Sequence, residues 1–248
     1  MLKGIVASEG LGIGRAYIIR KIPLDQIKPR SISDDEISAE IARLENAIQQ
    51  VRSELSLLKD RAGSEVSSEA AEIIQAQMLI LSDPLFLGEV MDIIRVEKLD
   101  VSNSYIRVRN KFIGLFEKMK EDYFRERADD IREVGEKVIE VLQGYRKSVS
   151  YKEDEEIVLI GKMIGVTDLM HFDKSRISGI CVESFGRTSH MAIFAKTLEI
   201  PMIVGLSGIA EKLADDRLVI LDGLKGRVLF NFSKKTLENY RKLREEYY

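Results

Sequence analysis

Residues 186–205 read GRTSHMAIFAKTLEIPMIVG, and no other stretch says as much about the chain. A glycine-led turn ends in His190, one of only two histidines, and His190 begins a short helix that Pro201 ends. The first turn of a helix carries unpaired N–H groups and a partial positive charge, which together stabilise an anion. The pattern therefore predicts that His190 is a nucleophile that accepts and carries a phosphoryl group.

The residues before His190 suit this chemistry. Gly186 allows close backbone approach or a positive φ angle, and Arg187 is a permanent cation that can bind phosphate in a bidentate manner. The hydroxyl groups of Thr188 and Ser189 can cap the helix or donate to the phosphate. The nucleophilic imidazole has to be neutral, with one nitrogen exposed and the other donating to a fixed acceptor. Without such support, a histidine at a helix start is usually a capping or solvated residue.

No second chemistry stands out along the sequence. His171 is interpreted as a solvated or structural residue, and the two histidines and Cys181 have no spacing that would form a zinc site. Gly10, Gly12 and Gly14 precede a strand rather than a helix, so they do not form a dinucleotide fingerprint. We expect these glycines to shape a bulge or a tight strand connection.

Composition narrows the class of protein. Charged residues make up 32% of the 248 residues and the net charge is −3, so no global basic field attracts nucleic acid. No apolar run approaches the ~20 residues needed to span a bilayer, and the amino terminus does not resemble a signal peptide. The single cysteine cannot form an internal disulfide. We therefore expect a soluble, cytoplasmic protein that binds no nucleic acid and inserts into no membrane.

Residues 31–147 are predicted to form an all-helical bundle. Ser33 and Glu36 make a capping box, and the apolar residues that follow alternate steps of four and three, as in a helix lying along an antiparallel partner. These residues are Ile37, Ile41, Leu44, Ile48, Val51, Leu55 and Leu58. Gly63 is expected to end this helix. Further helices are expected over residues 64–82, 83–98, from a cap at Ser102, and over residues 122–143.

Strand signals occupy most of the remaining sequence. They cover residues 3–7, 15–20, 157–160, 178–182, 202–204, 218–221 and 227–230. Residues 222–226 are typical of a hairpin turn, and residues 233–248 of a charged helix. The predicted layout is an α/β domain formed by residues 1–30 and 148–232, interrupted by the helical segment 31–147, with residues 233–248 as a trailing linker helix.

The stretch around His190 resembles the phosphohistidine motif of the PEP-utilising enzymes. Enzyme I of the sugar phosphotransferase system, pyruvate phosphate dikinase and PEP synthase share this motif. The matching residues are Gly186-Arg187-Thr188-Ser189-His190, Ala192-Ile193, Ala195, Leu198-Glu199-Ile200-Pro201 and Val204-Gly205. Residues 4–16, 78–84 and 123–132 are similar to enzyme I rather than to the other two. The resemblance covers essentially the whole chain.

The resemblance to enzyme I implies both a fold and a reaction. The fold is of the α+β/α class, a swivelling phosphohistidine β/α domain interrupted by an all-helical bundle that binds the carrier protein HPr. His190 would take the phosphoryl group of PEP on its Nε2 atom and pass it to a histidine of HPr, as a PEP-protein phosphotransferase. The family's PEP- and Mg²⁺-binding domain, which also forms its homodimer, would follow residue 248. No metal ligands are therefore expected in this chain.

The resemblance also assigns residues to partner binding and to the site. Ile73 and Ile80 would offer apolar contacts to HPr, with a place in the bundle core as the alternative. Arg127 would offer charge, with an ordinary helix-surface salt bridge as the alternative. Gln77 stands where the family commonly has a histidine, a change that would retune carrier binding. Thr167 lies in the segment that supplies the hydroxyl partner of the family's active histidine.

One departure from the family lies beside the motif. Phe185 replaces the first of two glycines that usually precede the Arg-Thr-Ser-His run, and its side chain would alter the turn or cover His190.

Two other functions stay open on the sequence alone. One is a phosphohistidine domain of the dikinase or PEP synthase type, which the helical insertion disfavours because those enzymes lack it. The other is a catalytically silent paralogue kept for binding or sensing.

Overall fold

The computed structural model describes residues 1–65, 68–145, 155–184 and 190–248. The chain divides into two compact units. Residues 1–20 and 149–248 form the barrel unit, and residues 21–148 form the helical unit. The helical unit thus begins at Lys21 rather than at residue 31. Residues 233–248, expected as a trailing linker, belong to the barrel unit.

The barrel unit is built on one eight-stranded sheet. Its strands are β1 (Leu2–Lys3), β2 (Ile5–Ser8), β3 (Leu11–Ile19), β4 (Ile157–Gly161), β5 (Ile177–Val182), β6 (Met202–Val204), β7 (Leu218–Asp222) and β8 (Arg227–Leu229). Their spatial order is β1-β8-β7-β3-β4-β5-β6-β2. The pairs from β3 to β6 are parallel and the others antiparallel. Because β1 and β2 lie at opposite ends of this order and only Gly4 separates them along the chain, the sheet closes on itself.

Apolar side chains fill the side of the sheet that this closure encloses. The buried residues of this cluster are Ala16, Ile18, Val158, Ile160, Cys181, Ile203, Leu206, Ile209, Leu213, Val219, Leu221 and Val228. Gly12 lies on the same face of β3, where a Cβ atom would stand 2.1 Å from the carbonyl oxygen of Ser178 on β5. The glycine therefore permits a close backbone approach within a continuous strand, which confirms that no dinucleotide loop is present.

Four helices of the barrel unit are described: α6 (Val166–Leu169), α7 (His190–Thr197), α8 (Ile209–Lys212) and α9 (Lys234–Tyr247). The last of these packs on the outer side of the sheet, where Leu237 and Tyr240 contact a cluster containing Leu11 and Ile13. The Tyr240 hydroxyl donates to Asp222 Oδ2 at 2.7 Å, and Arg227 Nε donates to the same oxygen at 2.9 Å. The segment is thus a helix, as predicted, and it is docked on the sheet of the barrel unit.

The helical unit contains α1 (Ile37–Glu65), α2 (Ser68–Ile80), α3 (Pro84–Asp92), α4 (Val101–Glu117) and α5 (Asp122–Leu142), with one π-helical turn (Ile93–Glu97) after α3. Lys59 Nζ donates to Gln75 Oε1 at 3.0 Å, and Arg52 donates to Ser82. Since these pairs run in opposite directions along the chain, α1 and α2 are antiparallel, as the apolar seam predicts. The structure confirms a β/α domain interrupted by a helical bundle.

The helix boundaries confirm some local predictions and correct others. Glu36 accepts from the Ser33 backbone N–H at 2.9 Å, as in the predicted capping box. This bond, together with hydrogen bonds from Arg30 and the Ser33 hydroxyl, lowers the pKa of Glu36 to about 2. Gly63 does not end α1, which continues to Glu65. Ser102 does not cap α4; that role belongs to Asp100, whose Oδ1 accepts from the Asn103 N–H at 3.2 Å.

The carboxylate of Asp222 fixes α9, and its loss has a measurable consequence. Burial disfavours the charged form of Asp222, but hydrogen bonds from Tyr240 and Arg227 outweigh this and lower its pKa. Tyr240→Phe removes the bond that the hydroxyl donates to the buried carboxylate and the bond that it accepts from Arg227 Nη2. We therefore expect the free energy of unfolding to fall by roughly 1–3 kcal/mol in urea titrations. The exposed Tyr247 on the same helix provides the control, Tyr247→Phe, which should be neutral. Equal stability of Tyr240→Phe and the wild type would show that these bonds do not hold α9.

Candidate functional site

The helix α7 is held firmly in the barrel unit, and His190 is its first described residue. Four of its side chains are buried, namely Met191, Ala192, Phe194 and Ala195, whereas Ile193 is exposed. The helix packs against β2. At its far end Glu199 takes a left-handed conformation and the Ile200 N–H donates to the Ala195 carbonyl at 2.8 Å. Pro201 follows directly, so the chain leaves the helix where the sequence predicts.

The approach to α7 is anchored at the end of β5. The Glu183 N–H donates to the Gly161 carbonyl and the Ser184 N–H to the Lys162 carbonyl, each at 3.1 Å. The Ser184 carbonyl accepts from the Gly205 N–H at 3.0 Å. The segment that leads to His190 therefore starts from a point fixed by two neighbouring loops.

The segment between these two anchors carries most of the predicted phosphate-binding residues. Phe185, Gly186, Arg187, Thr188 and Ser189 lie outside the described residues, as does the side chain of His190. Their roles, and the effect of the phenylalanine on access to the imidazole, stay predictions.

Thr167 is placed by α6, a short helix that packs against α7. Its side chain is fully buried. The neighbouring Asp168 caps this helix, since its Oδ2 accepts from the Gly165 N–H at 3.1 Å. The segment of Thr167 therefore lies beside α7. The role of Thr167 as hydroxyl partner of His190 stays a prediction. His171, just beyond α6, is exposed on the surface.

The residues predicted to bind a partner lie on two helices of the helical unit. Ile73, Gln77 and Ile80 are on α2, and Arg127 is on α5. Ile73 and Ile80 are half-buried, and Ile80 packs against a cluster formed by Ile113, Ala128 and Ile131. Ile80 thereby contributes to the bundle core as well as to the surface between α2 and α5.

Gln77 lies inside the helical unit rather than on its surface. Its side chain is fully buried, and neither Oε1 nor Nε2 has a hydrogen-bond partner among the described residues. A buried amide without partners costs on the order of 1–3 kcal/mol. Any influence of Gln77 on a partner is therefore indirect unless the side chain moves.

Arg127 is held by two side chains of its own helix that the sequence analysis did not single out. Its guanidinium lies 5.2 Å from the centre of the Tyr123 ring, and its Nε donates to the Tyr123 hydroxyl at 3.2 Å. Its Nη1 donates to Asp130 Oδ2 at 3.3 Å. The spacing of four and three residues along α5 is the signal that would have indicated this group.

Asp130 is buried, and burial is the main cause that raises its pKa to about 7. Glu133, Asp129 and Glu126 repel its negative charge and act in the same direction, whereas Arg127 opposes them. The folded protein therefore holds this proton over a pH range in which the unfolded chain, with an ordinary value of 3.8, has released it.

Replacement of Gln77 by an apolar side chain of the same length tests the cost of the buried amide. We expect Gln77→Met to raise the free energy of unfolding by roughly 1–3 kcal/mol, because no hydrogen bond is lost and the desolvation penalty disappears. Gln50→Met, at an exposed position of α1, serves as the control and should change stability by less than about 0.5 kcal/mol. Destabilisation by Gln77→Met would contradict an unpartnered amide.

The raised pKa of Asp130 predicts an unusual pH dependence of stability. Because the folded state binds the proton more tightly than the unfolded state, the contribution of Asp130 to the free energy of unfolding should fall as the pH rises from about 4 to about 8. Urea titrations of wild type and Asp130→Asn across this range measure the effect. The free energy of unfolding of the variant should exceed that of the wild type by an amount that grows with pH. A difference that is constant with pH would contradict the assignment.

The described residues show no metal centre and no membrane-crossing segment. No three His, Cys, Asp or Glu side chains among them lie close enough together to hold a metal ion. No helix in the described ranges is both long and apolar enough to cross a membrane.

Two family models match the chain. The model described as PEP-utilising enzyme, N-terminal, matches residues 3–127, and that described as PEP-utilising enzyme, mobile domain, matches residues 153–226. The first match covers the first strands of the barrel unit and most of the helical unit. The second covers the part of the barrel unit that contains His190.

Comparisons with single proteins agree with the family models. A phosphoenolpyruvate-protein phosphotransferase of Priestia megaterium is 35% identical over 99% of this chain and 42% of its own length. An NMR solution structure of Enzyme I is 34% identical, with a TM-score of 0.82 over 100% of this chain and 99% of that one. The N-terminal domain of Enzyme 1 - Nitrogen, at 23% identity over 99% and 100% of the two chains, shares the fold with a TM-score of 0.64.

The chain spans less than half the length of the curated relative. It matches the solved Enzyme I domain over nearly its whole length. Since a PEP-utilising model also covers half of it, the chain belongs to the family of PEP-utilising enzymes, as an N-terminal region of the Enzyme I type.

Proposed function

We propose that the chain relays a phosphoryl group from PEP, through His190, to a histidine of an HPr-like carrier in a sugar phosphotransferase system. The observation that carries the proposal is the placement of His190 in α7, a helix whose flanking segments are anchored in the barrel unit. The names of the relatives, PEP-protein phosphotransferase and Enzyme I, support the same assignment.

The reaction consists of two displacements at phosphorus. The lone pair of the neutral His190 imidazole, on Nε2 by family resemblance, forms an N–P bond while the P–O bond to enolpyruvate breaks. In the second step the carrier histidine forms the new N–P bond and His190 leaves as neutral imidazole. A helix start favours both steps because its N–H groups and dipole stabilise the anionic phosphoryl group.

The residues around His190 have distinct roles in this proposal. Arg187 and the backbone at Gly186 bind the phosphoryl oxygens, while the hydroxyls of Thr188 and Ser189 donate to them or cap α7. Thr167 holds the second ring nitrogen, so that a single tautomer presents the nucleophilic atom. Support for this last role comes from the buried position of Thr167 on α6, next to α7.

We place the carrier-binding surface on the helical unit. Ile73, Ile80 and Arg127 contribute to it, and Tyr123 joins them because its ring is 56% exposed beside Arg127. Leu79 adds a further apolar side chain, 63% exposed, from the same helix as Ile80. Aromatic, arginine and aliphatic side chains at one surface are typical of a protein interface.

The remaining parts of the reaction belong to the longer proteins that this chain resembles. PEP binding, Mg²⁺ and the homodimer are assigned to a further domain, because the curated relative is more than twice as long as its match to this chain. The described residues offer no ligand set for Mg²⁺, and in the proposal Mg²⁺ is bound by that further domain. A cytoplasmic location is part of the proposal, and the single buried thiol of Cys181 fits it.

Transfer from HPr phosphorylated with ³²P tests the proposal directly. We expect the wild-type chain to take up an acid-labile, base-stable label, because phosphohistidine is a phosphoramidate. His190→Ala should take up none while unfolding like the wild type, and His171→Ala, the matched control at the other histidine, should label normally. Label retained by His190→Ala would refute the assignment of the nucleophile. An unlabelled wild type would favour the silent binding module instead.

A further inference from the structure

The guanidinium of Arg127 is fixed from three directions. Tyr123 supplies both its ring face, 5.2 Å away, and its hydroxyl, 3.2 Å from Nε. The Tyr123 ring itself packs edge-to-face on Phe124, which stacks on Phe116 of α4. Asp130 supplies the third contact, to Nη1 at 3.3 Å. A side chain with this many contacts has lost most of its rotamer freedom before any partner arrives.

These contacts leave part of the guanidinium available. They use Nε and Nη1, whereas Nη2 makes no hydrogen bond to the described residues, and the side chain is 32% exposed. A guanidinium has five N–H groups and no acceptor. Its open edge therefore suits an oxygen acceptor, such as a carboxylate or a carbonyl, on a docking protein.

Burial and like charges disfavour the charged form of Asp130. It is only 3% exposed, and three acidic residues of the same helix repel it. A neutral isosteric side chain would avoid the cost of burying this charge. Arg127, whose guanidinium also lies over the exposed Tyr123 ring, is a counter-charge of Asp130. A costly buried group directed at a surface arginine is more readily explained by positioning than by stability.

We propose that Asp130 is a positioning residue, whose buried carboxylate holds Arg127 against Tyr123 with its open edge toward an oxygen acceptor of the docking carrier. This inference rests on the proposed function, since the carrier is the HPr-like protein named there. Asp130 acts through Arg127 and touches neither the carrier nor the phosphoryl group.

A double-mutant cycle distinguishes positioning from a general structural role. The KM for phosphorylated HPr is measured at pH 8 for wild type, Asp130→Asn, Arg127→Gln and the double variant. We expect Asp130→Asn to raise KM on the order of 3- to 10-fold with kcat unchanged, and to add less than about 2-fold when Arg127 is already Gln. Asp129→Asn is the matched control, because Asp129 pairs with Arg132 rather than Arg127. An equal effect of Asp130→Asn in both backgrounds, or no effect in either, would overturn the proposal.

A second readout needs no phosphoryl transfer. The ¹⁵N NMR signals of the Arg127 guanidinium can be assigned with Arg127→Lys. In the wild type these signals should be sharp and shifted from the positions of free arginine. In Asp130→Asn they should move to the free-arginine positions. Asp129→Asn should leave them in place. Unchanged Arg127 signals in Asp130→Asn would overturn the positioning role even if the wild type exchanged phosphate. A wild type that exchanges none would instead refute the proposed function, with the NMR result still deciding the role of Asp130.

Discussion

The closure of the sheet by residues 2–8 is the constraint on which the barrel unit depends. In this short segment β1 pairs with β8 at one edge of the sheet and β2 pairs with β6 at the other. Gly4 makes the passage between them possible, since a Cβ atom there would lie 2.4 Å from the Val204 carbonyl oxygen. The strand β2 also packs against α7. The segment that closes the barrel therefore supports the helix that begins at His190.

Local features of this fold could be predicted from the sequence, whereas pairings between distant residues could not. The apolar seam from Ile37 to Leu58 predicts α1 and its antiparallel partner because helix periodicity is a local property. Closure of the sheet depends on pairs such as Leu2 with Val228, more than two hundred residues apart, and no local pattern indicates it. The docking of α9 escaped prediction for the same reason, since Tyr240 meets Asp222 only in the folded unit.

Two helix boundaries in the helical unit were predicted wrongly, and each error has a physical cause. Ser102 and Asp100 are both good capping residues, and the choice between them depended on Asn103, whose N–H meets the Asp100 carboxylate. Gly63 was expected to end α1 because glycine is common just beyond a helix end. It instead lies against Ala71 of α2, where a Cβ atom would be 3.6 Å from the alanine Cβ atom. Packing between two helices here outweighs the helix propensity of one residue.

The candidate site likewise has features that the sequence predicts and features that it does not. The order of residues before His190 is a local motif, and the helix that it predicts is present as α7. Tyr123 could have been recognised by its spacing of four from Arg127. The burial of Gln77 and Asp130 could not, because α2 and α5 present polar residues at positions that become interior only when the bundle assembles. Sequence patterns indicate which residues share a helix face, but desolvation is a property of the packed structure.

A buried carboxylate in each unit has a shifted pKa, and the two shifts have opposite directions. This contrast distinguishes a structural role of a buried carboxylate from a functional one. Asp222 receives hydrogen bonds from Tyr240, Arg227 and the Lys225 N–H, so its charge is stabilised and its pKa falls. Asp130 has like charges along its own helix, and its pKa rises. A carboxylate that holds two structural elements together needs donors on all sides. In our proposal, the buried charge of Asp130 persists despite its cost to the fold because the partly exposed Arg127 needs an anchor. Stability and partner recognition thus oppose each other at one residue of α5.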